Sequence, residues 1–572
     1  MTGERPERVV VIGGVAGGAS AAARLRRLNE SAEITVFERG EHVSFSNCCL
    51  PYHLSGTVAS ADSLVMMTPA AFKKRFNIDV NVLSAVTGID RERHEITVRD
   101  VISGEESIYP YDKLVISTGA SPVKPGIPGE DSENVFSVSN VSDIVRLKEY
   151  ASAPERESVL VYGGGPVGLE VAENLRMAGK KVTVAIRGRQ ILSSSYDYDM
   201  VQILNKELCD NGVEILVNTT LMSIEKDSVT VKSGDEEKRI PADTVVIAAG
   251  TRPNSRLAGE AGLELTDSGA IYTDSDYRTS DPDIYAVGDV IEVYNCISRT
   301  YGKIALAGPA QMEARAAADS IAGREVKSRG FTGSSCIKLF GLNAASTGLN
   351  EKAALKAGLS FDHVLLFPND RVGIMPGCSY LALKLLFEVP TGRLLGAQAI
   401  GRGDAVGRVN VIATLIKMNG TLEDLKETEL CYAPPFGTAK DAVNLAALVG
   451  LNILEGSFRQ VHVSEVRALV EGGAYIVDVR EEKEYAAGHI EGARNVPLSQ
   501  LRGRIDEIPR DVPVYLHCRS SQRSYYAICF LQGNGYTNVI NISGSYLGLS
   551  LYEYFDDLRT GRRPILTAYN FH

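Results

Sequence analysis

Residues Val9–Gly18 read VVVIGGVAGG, and the ten residues that follow read ASAAARLRRL. The first four residues are typical of a buried strand, the glycines indicate a turn, and the Ala/Leu/Arg-rich segment favours a helix. This order predicts a dinucleotide-binding site, because glycines let the backbone approach a pyrophosphate at the N-terminus of a helix. Val15 stands where the usual pattern has its middle glycine.

The same pattern occurs a second time further along the chain. The run Val159–Tyr162 is followed by GGGPVGLE, in which Gly163, Gly165 and Gly168 have the full glycine spacing. Two more β-branched runs end at a glycine, in LVISTGASP (114–122) and TVVIAAGTRPN (244–254). Each is typical of a buried strand that ends beside a ligand.

Acidic side chains follow two of the predicted strands. Glu38 ends the strand Ile34–Phe37 and is placed to accept hydrogen bonds from ribose hydroxyls. Asp289 follows the short strand in DIYAVGDV (283–290). Together with the two glycine turns, these segments resemble the flavoprotein disulfide reductases, over roughly residues 7–450.

The resemblance implies an α/β protein in which two nested Rossmann-like domains bind FAD and NAD(P)H. The first turn and Glu38 would hold the FAD adenosine, Asp289 its ribityl chain, and the second turn the nicotinamide dinucleotide. The predicted cofactor-binding residues are Gly13, Gly14, Val15, Ala16, Gly17, Gly18, Glu38, Arg39, Asn47, Thr118, Gly119, Gly163, Gly165, Val167, Gly168, Arg187, Gly250 and Asp289.

The second site departs from the pattern expected of an NADH site. The strand Val182–Ala185 is followed by Ile186 where an acid is usual, and then by Arg187 and Arg189. Without the carboxylate a 2′-phosphate is not repelled, and an arginine can pair with it. The hypothesis is that NADPH is accepted; the alternative is that these arginines are solvated and NADH is used.

The segment Glu41–Leu54, EHVSFSNCCLPYHL, carries the candidate redox thiol. It lacks the Cys-x4-Cys of two-cysteine reductases and resembles the Ser-Phe-x-Asn-Cys-x-Leu-Pro-Tyr signature of the coenzyme A disulfide reductases. That resemblance makes Cys48 the redox cysteine, with Ser44 and Asn47 in the same motif. We expect the flavin and a helix end to lower the pKa of Cys48. Cys49, where the family has Gly or Ala, is expected to be a packed small residue.

The same resemblance predicts a coenzyme A site and a dimerisation domain. In that family, residues matching Ser20, Arg24 and Arg27 contact the coenzyme A phosphates, and the segment CYAPPFGTAKDAVN (431–444) reaches the active site of the partner. Tyr432 is therefore a candidate proton donor or substrate orienter, and Lys440 is a candidate phosphate contact. Ile374 and Met375 stand where the family has a second tyrosine. The predicted coenzyme A residues are Ser20, Arg24, Arg27, Ser44 and Lys440.

The last hundred residues resemble a single rhodanese domain. The evidence is the Asp-Val-Arg of 478–480, the Gly-His-Ile-x-Gly-Ala of 488–493 and the Cys-x4-Arg of 518–523. A six-residue loop at a helix N-terminus directs backbone N–H groups at the sulfur and stabilises a thiolate or persulfide on Cys518. Arg523 would orient the incoming sulfur species. Ser521 replaces the usual loop glycine.

Two smaller expectations concern the packing of this domain. Arg480 and Glu484 are expected to hold the fold as a buried pair. Cys529, in the middle of a predicted helix among apolar residues, is expected to lie in the core.

Composition excludes several other classes of protein. The formal net charge is −11 and there is no long Lys/Arg run, so neither nucleic acid nor a membrane surface is expected as a partner. Nine cysteines without Cys-x-x-Cys, and only eight histidines, indicate neither a disulfide framework nor a zinc site, so we expect no metal. No signal-peptide layout and no run of 18 apolar residues is seen, which predicts a cytoplasmic protein.

The resemblance to coenzyme A disulfide reductase–rhodanese fusions predicts an FAD-dependent homodimer that passes hydride from NAD(P)H to Cys48. Its substrate would be coenzyme A disulfide, coenzyme A persulfide or polysulfide, with coenzyme A as substrate or bound cofactor and sulfane sulfur relayed by Cys518. Two alternatives stay open: an NADH oxidase or peroxidase that uses a cysteine sulfenic acid, and a redox-sensing sulfur carrier. The predicted domains are FAD-binding at 1–150 and 273–325, NAD(P)-binding at 151–272, dimerisation at 326–452 and rhodanese at 458–560.

Overall fold

The computed structural model describes residues 5–571, which form two compact units. The first unit holds the chain up to Arg189 together with Val213–Phe331, and the second holds Gln190–Gly212 and the chain from Thr332 onwards. Within the described residues no helix is long and apolar enough to cross a membrane.

The first unit opens with the predicted strand, glycine turn and helix. Up to residue 151 its elements are β1 Arg8–Ile12, α1 Ala16–Leu28, β2 Glu33–Phe37, α2 Pro69–Phe76, β3 Asp79–Asn81, β4 Ser84–Asp90, β5 Glu95–Asp100, β6 Glu106–Pro110, β7 Lys113–Ile116, β8 Ala120–Pro122, β9 Val135–Phe136 and α3 Val141–Ala151.

The elements that follow carry the second glycine turn and then return to the first sheet. They are β10 Ser158–Tyr162, α4 Pro166–Met177, β11 Lys181–Ala185, α5 Tyr198–Asp210, β12 Val213–Leu216, β13 Thr219–Ile224, β14 Ser228–Ser233, β15 Glu236–Pro241, β16 Thr244–Ile247, β17 Thr251–Pro253, α6 Arg256–Glu260, β18 Ile284–Ala286, β19 Val293–Asn295, β20 Thr300–Gly302 and α7 Ala307–Ile321. Of these, α5 belongs to the second unit.

Two parallel five-stranded sheets form the framework of the first unit. One has the order β18-β7-β1-β2-β3 and the other the order β12-β11-β10-β16-β9. The strands β1 and β10 are almost fully buried, as β-branched runs covered on both faces must be. Both sheets place a glycine turn at the carboxyl end of a central strand, where ligands bind in open α/β sheets.

The second unit contains one antiparallel and one parallel sheet. The antiparallel sheet has the order β21-β22-β25-β24-β23 and the parallel sheet the order β26-β30-β29-β27-β28. Their elements are β21 Ser335–Leu339, β22 Leu342–Gly348, α8 Glu351–Lys356, β23 Phe361–Leu366, β24 Leu381–Glu388, β25 Leu394–Gly401, α9 Ala405–Lys417, α10 Leu422–Glu427, α11 Ala442–Leu454, β26 Arg459–Val461, α12 Val463–Glu471, β27 Tyr475–Asp478, α13 Glu482–Ala487, β28 Arg494–Asn495, β29 Val514–His517, α14 Gln522–Gly533, β30 Val539–Ile542 and α15 Ser545–Thr560.

A buried ion cluster lies in the second unit. The ammonium of Lys384, on β24, is fully buried and contacts the carboxylates of Asp197 at 3.3 Å, Asp199 at 2.8 Å and Glu351. Burial raises the pKa of Asp197 to about 6, against the opposing charge of Lys384. Side-chain atoms of Asp199, Glu351 and His363 lie close enough together to bind a metal ion. In this structure the ammonium group of Lys384 contacts both carboxylates.

Candidate active site

The first glycine turn borders a cavity of about 600 Å³ in the first unit. Eight of the predicted cofactor-binding residues line it, on the ends of β1, β2 and β7 and in the loops around them. They are Gly13, Val15, Glu38, Arg39, Asn47, Thr118, Gly119 and Asp289. Gly14, Ala16, Gly17 and Gly18 form the turn and the start of α1 behind them.

Close packing explains why this turn needs glycine. A Cβ atom on Gly13 would lie 2.2 Å from the carbonyl oxygen of Ser117, and the φ of Gly13 is +95°. A Cβ atom on Gly18 would lie 1.8 Å from the carbonyl oxygen of Gly13. Neither contact is possible for a larger residue, so the backbone of strand and helix meets at van der Waals distance, as the fingerprint requires.

The carboxylate of Glu38 holds the turn in place. Its two oxygens accept hydrogen bonds from the amides of Gly14 at 2.9 Å and Gly40 at 2.8 Å. Helix α1 begins after Val15, which has no polar side chain to cap the helix, and the first turn of α1 carries no acid. The N-terminus of α1 is thus arranged for a phosphate.

In the second glycine turn, two glycines are tightly packed against backbone atoms and one faces open space. A Cβ atom on Gly163, whose φ is +132°, would lie 2.1 Å from the carbonyl oxygen of Ala248, and one on Gly168 would lie 2.2 Å from the carbonyl oxygen of Gly163. A Cβ atom on Gly165 would meet nothing within 4 Å. Open space in front of Gly165, at the N-terminus of α4, is where a pyrophosphate would lie.

The side chains that bear on coenzyme choice lie just beyond β11. Ile186 is buried, while Arg187 and Arg189 are exposed. No carboxylate therefore stands at the end of this strand, and Arg187 is accessible to a ligand.

Cys48 lies on a single 3₁₀ turn, Asn47–Cys49, and is exposed, while Cys49 is half-buried. Desolvation of the sulfur raises the pKa of Cys48, and the negative charges of Glu170, Cys49 and Asp289 raise it further. The expectation that a helix end lowers the pKa of Cys48 is therefore wrong, since the groups of the protein raise it. The helix is only one turn long, and the charged side chains near the sulfur are acidic.

Glu170, on α4, is a functional candidate that sequence reasoning missed, although it is the last letter of the motif GGGPVGLE. Desolvation, and next the charge of Glu173, raise the pKa of Glu170 to about 7. A carboxyl group beside the predicted redox thiol therefore changes its charge near neutral pH. Such a group can hold and release a proton during thiol chemistry.

The residues predicted to contact coenzyme A phosphates differ in their exposure and in whether they already form an ion pair. Arg24 donates two hydrogen bonds to Asp319, at 3.0 and 2.5 Å, and only 14% of its side chain is exposed. Ser20 and Arg27 each lie about one helical turn from Arg24 on α1. Arg27 is exposed, and Ser20 is half-buried. Ser44 has a left-handed backbone, with φ of 50°, and its amide donates to the carbonyl of Gly14.

Tyr432 and Lys440 lie in the second unit, in the exposed segment before α11. Of Tyr432, 49% is exposed, and Phe436 beside it is 78% exposed. In the loop before β24, Ile374 is 91% exposed at the place where the family has a tyrosine.

The rhodanese-type loop has Cys518 at its base, and α14 begins at Gln522. Cys518 is buried, its amide donates to the Ser545 hydroxyl at 3.2 Å, and the Ser524 hydroxyl lies 3.8 Å from its sulfur. Ser521 adopts the left-handed conformation, with φ of 73°, that a glycine would adopt without strain.

Arg523 makes a two-pronged ion pair with Glu484, at 2.6 and 2.7 Å. The expected Arg480–Glu484 pair is therefore wrong: Arg480 pairs instead with Asp478 at 2.6 Å, because its side chain turns inward over the ring of Tyr546. This Arg480–Asp478 pair is fully buried.

Cys529 is exposed, so the expectation of a core position is wrong; its helix α14 is only weakly amphipathic and turns this residue outward.

Three family models match consecutive parts of the chain. The pyridine nucleotide-disulphide oxidoreductase model matches residues 7–314, the dimerisation domain of the same family matches 334–443, and the rhodanese-like domain matches 462–551. The chain belongs to the pyridine nucleotide-disulphide oxidoreductases. It is therefore an oxidoreductase that uses FAD and NAD(P)H, and the predicted α/β fold class is confirmed.

Two solved structures resemble this pyridine nucleotide-disulphide oxidoreductase over nearly its full length. Reduced Bacillus anthracis CoADR-RHD is 39% identical, with a TM-score of 0.93 over 96% of this chain and 99% of that chain. An NAD-dependent persulfide reductase from A. fulgidus is 34% identical, with a TM-score of 0.89 over 95% of this chain and 99% of that chain. The NAD(P)H coenzyme A polysulfide/persulfide reductase of Pyrococcus horikoshii is 33% identical over 77% of this chain and 98% of its own length.

The cavity of this oxidoreductase fits FAD. Its volume suits an extended dinucleotide, its glycine turn has no room for side chains, and the carboxylate of Asp289 has its pKa raised by burial beside the cavity. Sequence reasoning missed part of the wall, namely the N-terminus of α3 with Ser139, Asn140, Ser142 and Asp143. The capping pattern there, in which Asn140 accepts from the amide of Asp143, could have indicated this helix start.

Proposed function

We propose that this enzyme uses NAD(P)H to reduce coenzyme A disulfide, coenzyme A persulfide or polysulfide at Cys48, and that Cys518 relays sulfane sulfur. The observation that carries the proposal is the position of Cys48. It lies on the turn whose first residue, Asn47, lines the FAD cavity, and it is exposed to a substrate. Proteins named for coenzyme A disulfide, persulfide and polysulfide reduction are 31–39% identical to this chain, which supports the choice of substrate.

One redox cysteine requires that the second sulfur come from the substrate. Cys49 is a poor partner, because neighbouring Cα atoms are about 3.8 Å apart and disulfides prefer roughly 4.4–6.8 Å. The Cys48 thiolate would instead attack the substrate sulfur, forming a mixed disulfide and releasing a thiolate or hydrosulfide. FAD, when bound, would supply the two electrons of the NAD(P)H hydride that restore the Cys48 thiolate.

Side chains of the protein can accept and donate the proton that this reaction transfers. The leaving thiolate or hydrosulfide takes up a proton, and the Cys48 thiol gives one up. Glu170, beside Cys48 and with a pKa of about 7, can hold that proton between the two events. Tyr432, exposed in the segment before α11, is proposed as a second donor, and Lys440 as a phosphate contact.

Coenzyme choice, assembly and location are proposed from exposed residues and from the free cysteines. NADPH would be accepted because Arg187 is exposed and no acid follows β11. A homodimer would cover the exposed Ile374 and Phe436 in the part that matches the dimerisation domain. A cytoplasmic location fits nine cysteines without a disulfide.

The test is steady-state NAD(P)H oxidation with coenzyme A disulfide, coenzyme A persulfide and polysulfide side by side. Cys48→Ser should abolish turnover of all three while the flavin stays bound, and Cys518→Ser should slow only the sulfane-sulfur substrates. Cys529→Ser, on the exposed face of α14, is the matched control and should behave as wild type. Full turnover in Cys48→Ser would refute the reductase, and unchanged rates in Cys518→Ser would refute the relay.

An anaerobic assay separates this function from an oxidase or peroxidase. Sulfide release on addition of persulfide, without oxygen or peroxide consumption, is the expected result. Repeated turnover of NAD(P)H in that assay also excludes a sulfur carrier whose flavin is only regulatory. The rhodanese-like domain at 462–551 favours the sulfur reductase over the oxidase.

A further inference from the structure

Glu484, on α13, makes its main contact with a residue of the rhodanese-type loop. Its carboxylate accepts a hydrogen bond from each of two nitrogens of Arg523, at 2.6 and 2.7 Å, across 39 positions of sequence. Two parallel bonds of this kind fix the direction of a guanidinium group as well as its place. About 30% of the Arg523 side chain and 34% of the Glu484 side chain are exposed, so a small molecule can reach the pair.

The carboxylate of Glu484 is engaged mainly by Arg523. Arg480, a second arginine near it, donates instead to both oxygens of Asp478 and to the carbonyl of Gly488. The hydrogen bond with Arg523 is the largest cause that lowers the pKa of Glu484, which is therefore ionised at neutral pH. One further bond comes from the amide of Glu481, at 3.2 Å, at the start of α13.

Arg523 connects this carboxylate to the sulfur of the loop. It is the last residue of the six-residue segment that begins at Cys518. Hydrogen bonding to Glu484 raises the pKa of Arg523 most, and contact with the Cys518 sulfur raises it further. A free arginine side chain populates many rotamers, so a guanidinium group that must stay beside a reacting sulfur needs a second partner to hold it there.

We propose that Glu484 is a positioning residue for sulfur transfer at Cys518, because it holds the guanidinium group of Arg523 beside the sulfur atoms that react. The inference rests on the proposed relay function of Cys518 and adds a residue to it. Functional side chains keep a productive geometry when a second set of hydrogen bonds fixes their rotamers, and Glu484 supplies two such bonds to Arg523.

The transfer that Arg523 would assist balances without any further reactant. The Cys518 thiolate attacks the outer sulfur of a persulfide R–S–SH, so that an S–S bond forms on Cys518 and the S–S bond of the persulfide breaks. The electron pair of the broken bond leaves on R–S⁻. The products are Cys518 persulfide and the thiolate of the donor.

The test measures persulfide formation on Cys518 of the full-length reduced protein, with glutathione persulfide as the donor. The reaction is quenched rapidly and followed by peptide mass spectrometry, and no NAD(P)H is added, so the result does not depend on Cys48. Glu484→Gln should lower the maximal rate about tenfold, since a small displacement of a functional group has effects of this order. The half-saturating concentration of the donor should change less than twofold, because Glu484 acts on Arg523 and not on the donor.

Two comparisons separate positioning from a loss of structure. In an Arg523→Gln background, Glu484→Gln should have no further effect on the rate, because two residues that act through one contact are not additive. Glu482→Gln, which changes an exposed carboxylate on the same helix, is the matched control and should react as wild type. Alkylation of Cys529, exposed on α14 beyond Arg523, should have the same rate in every variant if the helix is intact.

A second variant covers the case in which Glu484→Gln does not fold. Glu484→Asp keeps the charge but is one methylene group too short for both hydrogen bonds, so it should lower the maximal rate on the order of threefold. A wild type that forms no persulfide on Cys518 would refute the relay and this inference together. A wild type that reacts, with an unchanged rate in the Glu484 variants or an equal loss in the Arg523→Gln background, would overturn the positioning role alone.

Discussion

At the scale of single residues, the environment of Cys48 is the feature that sequence motifs did not reveal. The motif predicts a thiol beside the flavin cavity, but the pKa of that thiol is raised by desolvation and by the charges of Glu170, Cys49 and Asp289, of which Glu170 and Asp289 are far away in the sequence. Both acids raise the pKa of Cys48, and Glu170 itself changes charge near neutral pH. The reactivity of this thiol is therefore set by tertiary packing.

Glu170→Gln should raise the fraction of Cys48 that is present as thiolate at pH 8, and so its rate of alkylation. Above pH 7 Glu170 carries a negative charge that disfavours the thiolate, so its removal lowers the pKa of Cys48. Alkylation of Cys48 by iodoacetamide at pH 8 should become on the order of threefold faster. Below about pH 6, where Glu170 is protonated in the wild type, the two proteins should react alike.

The control for this prediction is Glu157→Gln, which removes an exposed carboxylate paired with Lys181 in the same unit. It should leave the alkylation profile unchanged. Equal rates for Glu170→Gln and wild type at pH 8 would show that the carboxylate does not act on the thiol.

Ser521 provides a second prediction at this scale. Its left-handed φ of 73° costs about 1 kcal/mol, which its hydroxyl offsets through bonds to the Ile542 carbonyl and the Ser545 hydroxyl. Ser521→Ala keeps the strain and loses these bonds, so it should lower the free energy of unfolding by about 1 kcal/mol. Ser521→Gly relieves the strain and should lie between Ser521→Ala and wild type.

Thermal unfolding of the three proteins checks this order. Ser520→Ala, in the same loop but without a positive φ, is the control and should match wild type. An alanine variant more stable than the glycine variant would contradict the account of the loop.

At the scale of secondary-structure elements, the two strand–turn–helix units could be predicted because their determinants are local. A β-branched run, a glycine turn and a helix-forming segment lie within about twenty residues of each other, at both β1–α1 and β10–α4. The pairing of Arg24 with Asp319 could not be predicted, because it joins α1 to α7 across 295 positions of sequence. The pairing of Arg480 with Asp478, and not with Glu484, could not be predicted either. Arg480 lies over the ring of Tyr546, which is distant in the sequence.

Alanine substitutions at two glycines of the second turn should have different effects, one on stability and the other on coenzyme binding. Gly163→Ala places a methyl group 2.1 Å from a carbonyl oxygen at a φ of +132°, so it should lower the free energy of unfolding by about 3 kcal/mol. Gly165→Ala meets open space at a φ of −80°, so it should fold normally and raise the KM for NAD(P)H about tenfold.

Thermal unfolding and steady-state kinetics with both coenzymes distinguish the two effects. Gly188→Ala, where a Cβ atom also meets nothing within 4 Å and no positive φ is required, is the control for a harmless methyl group in the same part of the chain. A Gly165→Ala protein with an unchanged KM would place the coenzyme elsewhere.

At the scale of the whole molecule, one buried ammonium group in the second unit faces three carboxylates. Lys384 neutralises Asp197, Asp199 and Glu351, which come from two distant stretches of sequence. Lys384→Met would leave three carboxylates together without a cation, at a cost of about 3–5 kcal/mol in the free energy of unfolding. Lys352→Met, a neighbouring exposed lysine, is the control and should cost almost nothing.

The pH dependence of that loss has a definite sign. The pKa of Asp197 is already raised to about 6, and removal of Lys384 raises the affinity of the folded state for protons further. Because the folded variant then binds protons more tightly than the unfolded chain, its stability rises as the pH falls. Thermal midpoints of Lys384→Met and wild type should therefore lie closer together at pH 5.5 than at pH 8, and a gap that widens on acidification would refute this.

The strand β18 closes the edge of the first sheet beside β7, although 167 positions separate the end of β7 from the start of β18. During synthesis on the ribosome, β1 and β7 emerge long before that edge exists, and the segment between them and β18 must be made first. The first sheet is thus completed after the second sheet has been translated in full, so the inserted nucleotide-binding part has the opportunity to fold before the part that encloses it. A nascent chain arrested before residue 284 should accordingly protect β10 and β16 from hydrogen exchange more strongly than β7.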